Sequence, residues 1–288
     1  MTTVSSAIGY HPAAGGDITN TPPFVYDMRR PETRTQSPPD IVTTHINDAR
    51  QTAGLSLDTS GFQLVDHPSA VTDFLDHKAV VSTYYEECKV IAKALTGASV
   101  AHTYDHLVRE PGRQISGGGT DGVPHTTGDE AGGGYIGFAH MDYTDNTTWE
   151  KYLAVHDTRP PTNAKRIISL NFWRGISPVV DDHPLAICDA RTVQPEHLCE
   201  SVVFGYGAAN YSWHNIGIET YSVKHAPEQR WYYYPRMTPN EVLVFKAFDS
   251  EGVVGNACPH GAFANPNADP ASPPRRSIEL RVLCFVTD

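Results

Sequence analysis

The sequence predicts a mainly β protein of the α+β type, a jelly-roll or related antiparallel barrel (cupin-like) with flanking helices. Three observations carry this. The second half holds at least six short runs rich in β-branched and aromatic residues, separated by turn residues. A single long stretch has helical periodicity. Strands do not alternate with helices, which argues against βαβ repeats.

The chain has 288 residues, 40% of them hydrophobic, enough for a sizeable core. Its formal net charge of -11 disfavours nucleic acid and anionic membrane surfaces, both of which require clustered cations. No apolar run reaches the ~18 residues of a spanning helix, and Met1-Thr-Thr-Val-Ser does not read as a signal peptide. The five cysteines are scattered and form no Cys-x-x-Cys, so free thiols in a reducing cytoplasm are expected.

Residues 1–65 are rich in Pro, Thr, Gly and Asp and read as an extended arm with one or two strands, packed on a single domain spanning 66–288. Asp66 or Ser69 is the expected cap of a helix over Ala70–Leu95, whose Val71, Phe74, Val80, Tyr84, Cys88, Ile91 and Leu95 recur at helical spacing. Gly97 would end it. Ser99–Tyr104 reads as a strand. Residues 110–134 carry two triple-glycine runs and read either as a lid near the site or as a surface loop. Strands follow at Arg166–Trp173, Leu185–Cys188, Gly217–Lys224, Arg230–Tyr234, Glu241–Lys246 and Ser277–Phe285.

The segment Phe138-Ala-His-Met-Asp-Tyr143 is the most informative one. Alternate residues of a strand point the same way, so His140 and Asp142 can aim at one point while Met141 turns aside. His260, in Cys258-Pro-His-Gly261, supplies a third donor from elsewhere in the fold. Two imidazoles and one carboxylate hold one face of an iron(II) ion and leave positions open for oxygen and a co-substrate. Other histidines compete, since the chain has 14. His-Glu-x-x-His, Gly-x-Ser-x-Gly and the phosphate-binding loop are all absent.

A carboxylate co-substrate calls for arginine, whose planar fork makes two charge-assisted hydrogen bonds. On the last strand Arg276, Ile278, Leu280 and Val282 share an apolar face, whereas Arg275, Ser277, Glu279 and Arg281 share the other. Arg275 with Ser277 is therefore the preferred pair, and Arg281 either joins it or pairs with Glu279. On the strand at Arg166–Trp173, at most one of Asn171 and Arg174 points inward. Asn171 is preferred as the pocket residue, and Arg174 as an ion-pair residue for Asp189. Tyr211, Trp213 and His214 are candidates to shape a substrate pocket. Trp231 to Tyr234 read as core, and Cys258 as packing.

Asn171-Phe-Trp-Arg-Gly-Ile-Ser-Pro178 with Pro184-Leu-Ala-Ile-Cys-Asp189 resembles the signature of AsaB-like and CmcJ-like hydroxylase/desaturase proteins. So do Arg230–Lys246, Pro259-His-Gly-Ala-Phe263 and Pro274-Arg-Arg-Ser-Ile-Glu-Leu-Arg281. Gly175 stands where many relatives have proline. The resemblance covers residues 66–288. It implies a double-stranded β-helix core and an iron(II)/2-oxoglutarate-dependent dioxygenase that hydroxylates, desaturates or otherwise oxidises a small secondary metabolite. It further implies His140, Asp142 and His260 as iron ligands, Arg275 and Ser277 as the 2-oxoglutarate pair, and O2 as oxidant. The alternatives are an iron oxidase that does not use 2-oxoglutarate and a cupin-like binding protein without catalysis.

Overall fold

The strands arrange this chain as two facing sheets whose central members are buried on both faces. The computed structural model describes residues 3–12, 24–27, 39–111, 113–118, 124–128, 135–147, 149, 159–204, 217–252 and 257–287. The strands are β1 (Thr3–Tyr10), β2 (Phe24–Asp27), β3 (Asp40–Asp48), β4 (Phe62–Asp66), β5 (Val100–Glu110), β6 (Arg113–Gly118), β7 (Pro124–Gly128) and β8 (His140–Met141). They continue with β9 (Arg166–Gly175), β10 (Leu185–Cys188), β11 (Leu198–Phe204), β12 (Ile218–Val223), β13 (Trp231–Tyr233), β14 (Glu241–Asp249), β15 (His260–Ala262) and β16 (Ser277–Val286). One sheet has nine strands in the order β1-β3-β13-β10-β15-β8-β12-β11-β2, and the other seven in the order β4-β14-β9-β16-β5-β6-β7. Most pairs are antiparallel; β2 with β11 and β3 with β13 are parallel.

The core between the sheets follows from side-chain parity. Trp173, Leu243 and Phe245 of the seven-stranded sheet meet Leu185, Ile187 and Tyr232 of the nine-stranded one. The opposite face of the seven-stranded sheet, with Leu170, Phe172, Val242, Val244, Leu280 and Val282, packs under the helix. That helix begins later than its periodicity suggests. It comprises α1 (His77–Ala79), a π-helical stretch Val80–Tyr84 and α2 (Tyr85–Thr96), and it ends on Gly97 in the left-handed conformation at φ 70°.

Its cap is Asp76, whose carboxylate accepts from the Ala79 N–H at 3.1 Å. Asp66 instead closes β4, and the Ser69 hydroxyl donates to Glu87 at 2.7 Å. Val71 and Phe74 are buried in the same cluster as the helix without belonging to it, so their spacing mimicked helical periodicity.

Among residues 3–65, the described ones carry more strand than their composition suggests. β1 pairs with β3 over eight residues, β3 joins β13, and β4 joins β14. β1 also reaches the segment that leads into β8. The Gly9 N–H donates to Gly137 O at 2.9 Å, and the Ala139 N–H donates to Gly9 O at 2.8 Å. Gly9 is needed there, because a Cβ would sit 3.2 Å from Gly137 O. Residues 113–118 and 124–128, expected as loop, instead form β6 and β7 and extend the sheet from β5. Residues 119–123 and 129–134 of that stretch lie outside the described residues. β11, which sequence periodicity missed, is held by its pairing with β12.

Candidate metal and co-substrate site

Register brings the three predicted donors together. β8 lies between β15 and β12, and His140 is directly opposite His260. Their rings are 4.4 Å apart, and Phe245 lies 4.7 Å from the His260 ring. Asp142, just past β8, places Oδ1 3.8 Å from His140 Nε2 and 3.9 Å from His260 Nε2. One donor atom from each residue lies within 4.8 Å of the others, close enough for a single ion to touch all three.

Backbone carbonyls select the tautomers. His140 Nδ1 is 2.8 Å from Phe138 O, and His260 Nδ1 is 3.1 Å from Cys258 O. A carbonyl only accepts, so each Nδ1 carries the proton and each Nε2 presents its lone pair toward Asp142. Burial, and then the neighbouring His140, push the His260 pKa down to about 4. His260 is thus neutral at neutral pH, the form that binds a metal. Burial works to raise the Asp142 pKa, but Arg281, then His260, His140 and Asn171, hold the carboxyl well below its usual range.

Gly261 protects this geometry. A Cβ there would lie 3.1 Å from Phe138 O, the carbonyl that orients His140. Gly261→Ala is therefore expected to displace that carbonyl and weaken metal binding, by roughly 10-fold or more as for other lost partners of ligands. Isothermal titration with a divalent metal checks this; unchanged affinity would contradict it.

Ser277 opens β16, and Arg275 lies two residues before it on the same inner side. Arg275 is 1% exposed, its guanidinium carbon 4.0 Å from the Tyr135 ring centre and 5.4 Å from that of Trp173. Its Nη1 donates to His183 O at 2.6 Å, while its Nε has no partner among the described residues. The Ser277 hydroxyl is likewise buried and without a hydrogen-bond partner. Burial and the nearby Arg109 lower the Arg275 pKa to about 10, which leaves it charged at neutral pH. A buried cation with an orphaned N–H, beside an orphaned hydroxyl, is what an incoming carboxylate needs.

Asn171 points inward, but its amide contacts Asp142: Nδ2 donates to Oδ2 at 2.6 Å. Arg281 Nε donates to the same oxygen at 3.3 Å. Arg281 also pairs with Glu279 at 3.0 Å, and Glu279 in turn with Arg109 at 3.2 Å. No sequence motif marks Arg109; the β5–β16 register sets it opposite Ser277.

Arg174 faces the helix, as parity requires, but does not pair with Asp189. It lies over Tyr84 and donates to the Tyr84 hydroxyl at 3.2 Å and to His67 O at 2.8 Å, whereas Asp189 is bound by Arg191 at 2.6 Å. Arg276 projects to the other side and meets Glu110 at 3.3 Å. Trp231 to Tyr234 are buried, and Cys258 packs with its thiol toward Ser60 O. A side chain at position 175 would collide with Val180, which explains the glycine. Tyr211, Trp213 and His214 lie outside the described residues.

Comparison with known proteins gives the family and the fold. The family described as Oxidoreductase/YMDC permease-like domain matches residues 11–285. The hydroxylase/desaturase efuI of Hormonema carpetanum is 32% identical over 266 residues, covering 84% of this chain and 83% of that protein. The hydroxylase/desaturase CTB9 of Cercospora beticola is 30% identical over 262 residues, covering 85% and 76%. The Fe(II)/2-oxoglutarate-dependent dioxygenase nvfI of Aspergillus novofumigatus is 27% identical over 248 residues, covering 83% and 81%.

The solved structure of the iron and alpha-ketoglutarate-dependent endoperoxidase NvfI superimposes with a TM-score of 0.72 at 21% identity, over 100% of this chain and 99% of that one. It establishes the shared jelly-roll fold. The chain belongs to the hydroxylase/desaturase family of oxidoreductases, a family with iron(II)/2-oxoglutarate-dependent dioxygenases among its relatives.

Proposed function

We propose that this enzyme oxidises a small secondary metabolite, using iron(II), 2-oxoglutarate and O2, with His140, Asp142 and His260 as the metal ligands. The observation that carries the reading is the pairing of two features on facing sheets. One is a set of two Nε2 lone pairs and one carboxylate oxygen directed at a common point. The other is a buried arginine and serine whose Nε and Oγ lack partners. Donors of this type suit iron(II), and the orphaned donors suit the distal carboxylate of 2-oxoglutarate.

Bound iron(II) would let O2 act as the oxidant, taking two electrons from 2-oxoglutarate, which leaves as succinate and CO2, and two from the organic substrate. The chain's own residues orient and shield. Phe138 O and Cys258 O fix the imidazole rings, Arg275 and Ser277 hold the carboxylate, and Tyr135 and Trp173 flank the guanidinium and keep water from it. Phe245 closes the apolar side of His260.

The chain works as one domain, with residues 1–65 as an arm on the core, since β1 and β3 extend the sheet that carries β8 and β15. Five free cysteines suit a reducing cytoplasm, and no helix among the described residues is long and apolar enough to cross a membrane.

Succinate formation measured against O2 uptake tests the reaction class. Purified protein with iron(II), 2-oxoglutarate and its substrate is expected to form one succinate per O2 consumed. Oxygen uptake and product formation without 2-oxoglutarate would instead favour an oxidase that draws its electrons from the substrate.

A further inference from the structure

The two oxygens of Asp142 are treated differently. Oδ1 faces the two Nε2 atoms at 3.8 and 3.9 Å. Oδ2 accepts from Asn171 Nδ2 at 2.6 Å and from Arg281 Nε at 3.3 Å. These two donors occupy a single rung of the sheet, because Asn171 on β9 is directly opposite Arg281 on β16.

Arg281 is itself braced, with its Nη2 3.0 Å from Glu279 Oε1 and with Glu279 Oε2 3.2 Å from Arg109 Nε. The four charges alternate along this wall: Arg109, Glu279, Arg281, Asp142.

We infer that the Asn171–Arg281 rung is a positioning device that restricts Asp142 to a single ligand oxygen, with Glu279 and Arg109 bracing Arg281. The inference rests on the metal reading given above. With one oxygen engaged, the protein donates three atoms and leaves three octahedral positions, enough for a two-point co-substrate and O2. A carboxylate whose second oxygen is released can close on the ion with both oxygens and take one of those positions. Asn171 and Arg281 act through Asp142, so their removal changes the number of open positions.

Manganese(II) alone is the probe, bound to the full chain. Water-proton relaxation of the manganese complex counts the positions that carry exchangeable water. The wild-type chain is expected to carry about three. Arg281→Leu is expected to lose one, and Arg281→Lys, which retains a charged donor, to recover it. Asn171→Leu, which removes the other donor to the same oxygen, is expected to shift the count in the same direction and serves if Arg281→Leu fails to fold. Near-ultraviolet circular dichroism establishes that each variant is folded.

The inference is overturned if the folded leucine variants keep the wild-type count, or if Arg281→Lys behaves as Arg281→Leu. A separate arm tests the reading beneath it. Manganese(II) binding that survives His260→Ala unchanged would remove the metal site itself, whatever the water counts.

Discussion

Asp142→Ala is expected to abolish iron(II) binding and all oxidation while leaving a folded protein. The carboxylate is the single anionic donor of the set, and the charge it brings cannot be replaced by two neutral imidazoles. Loss of a group that merely supports a ligand typically costs 10–100-fold in affinity, so loss of the ligand itself should exceed about 100-fold. The metal-free protein changes less. Asn171 Nδ2 loses its acceptor, for about 1–3 kcal/mol, while Arg281 keeps Glu279. Thermal melting with and without added iron(II) separates the two effects. The variant should melt slightly below the wild type without metal and gain nothing when metal is added. A variant that iron(II) stabilises as strongly as it does the wild type would remove Asp142 from the ligand set.

Arg275→Leu is expected to lower affinity for 2-oxoglutarate while leaving iron(II) affinity intact. Truncating one partner of a buried charge pair costs about 2–5 kcal/mol, which corresponds to a loss of roughly 30-fold or more. The fold should tolerate the change. Among the described residues Arg275 lies within ion-pair distance of no carboxylate, and its side chain donates only to His183 O. Leucine removes a charge that burial disfavours, which offsets the lost contacts with His183 O, Tyr135 and Trp173.

Ser277→Ala supplies the graded comparison. Its hydroxyl is buried without a partner, so stability should hold or rise, while 2-oxoglutarate affinity falls by about 1–1.5 kcal/mol, or roughly 5- to 10-fold. Titration of the iron-loaded variants with 2-oxoglutarate reads both effects. Equal affinity in wild type and Arg275→Leu would place the carboxylate elsewhere.

Much of this site was legible in the sequence, because strand parity is a strong constraint. Alternation along the segment that leads into β16 separates Arg275 and Ser277 from Arg276, and the structure buries the first two while Arg276 meets Glu110. The same rule allowed only one of Asn171 and Arg174 inside, and Asn171 is inside. Pairing could not be read in this way. Nothing in the sequence sets Arg109 opposite Ser277 or Asn171 opposite Arg281, because register depends on which strands become neighbours.

The charged wall behind Asp142 therefore emerged only from the structure. Long-range pairing also explains why the N-terminal region carries more strands than its composition suggests. β1 is polar enough to read as an arm, yet its hydrogen bonds to Gly137 and Ala139 make it a support for β8. The helix start was misplaced for a related reason: Val71 and Phe74 are buried by tertiary contact, and periodicity alone does not distinguish that from a helical face.

The central claim is that the three donors and the buried arginine–serine pair form one site for a metal and a 2-oxo acid. The most direct test is an anaerobic titration of the purified chain with iron(II) and then 2-oxoglutarate, followed by visible absorption. The wild type should develop the metal-to-ligand charge-transfer band of a chelated 2-oxo acid, Arg275→Leu only at much higher 2-oxoglutarate, and Asp142→Ala not at all. Absence of the band in the wild type at saturating iron(II) and 2-oxoglutarate, or an undiminished band in Asp142→Ala, would contradict the account.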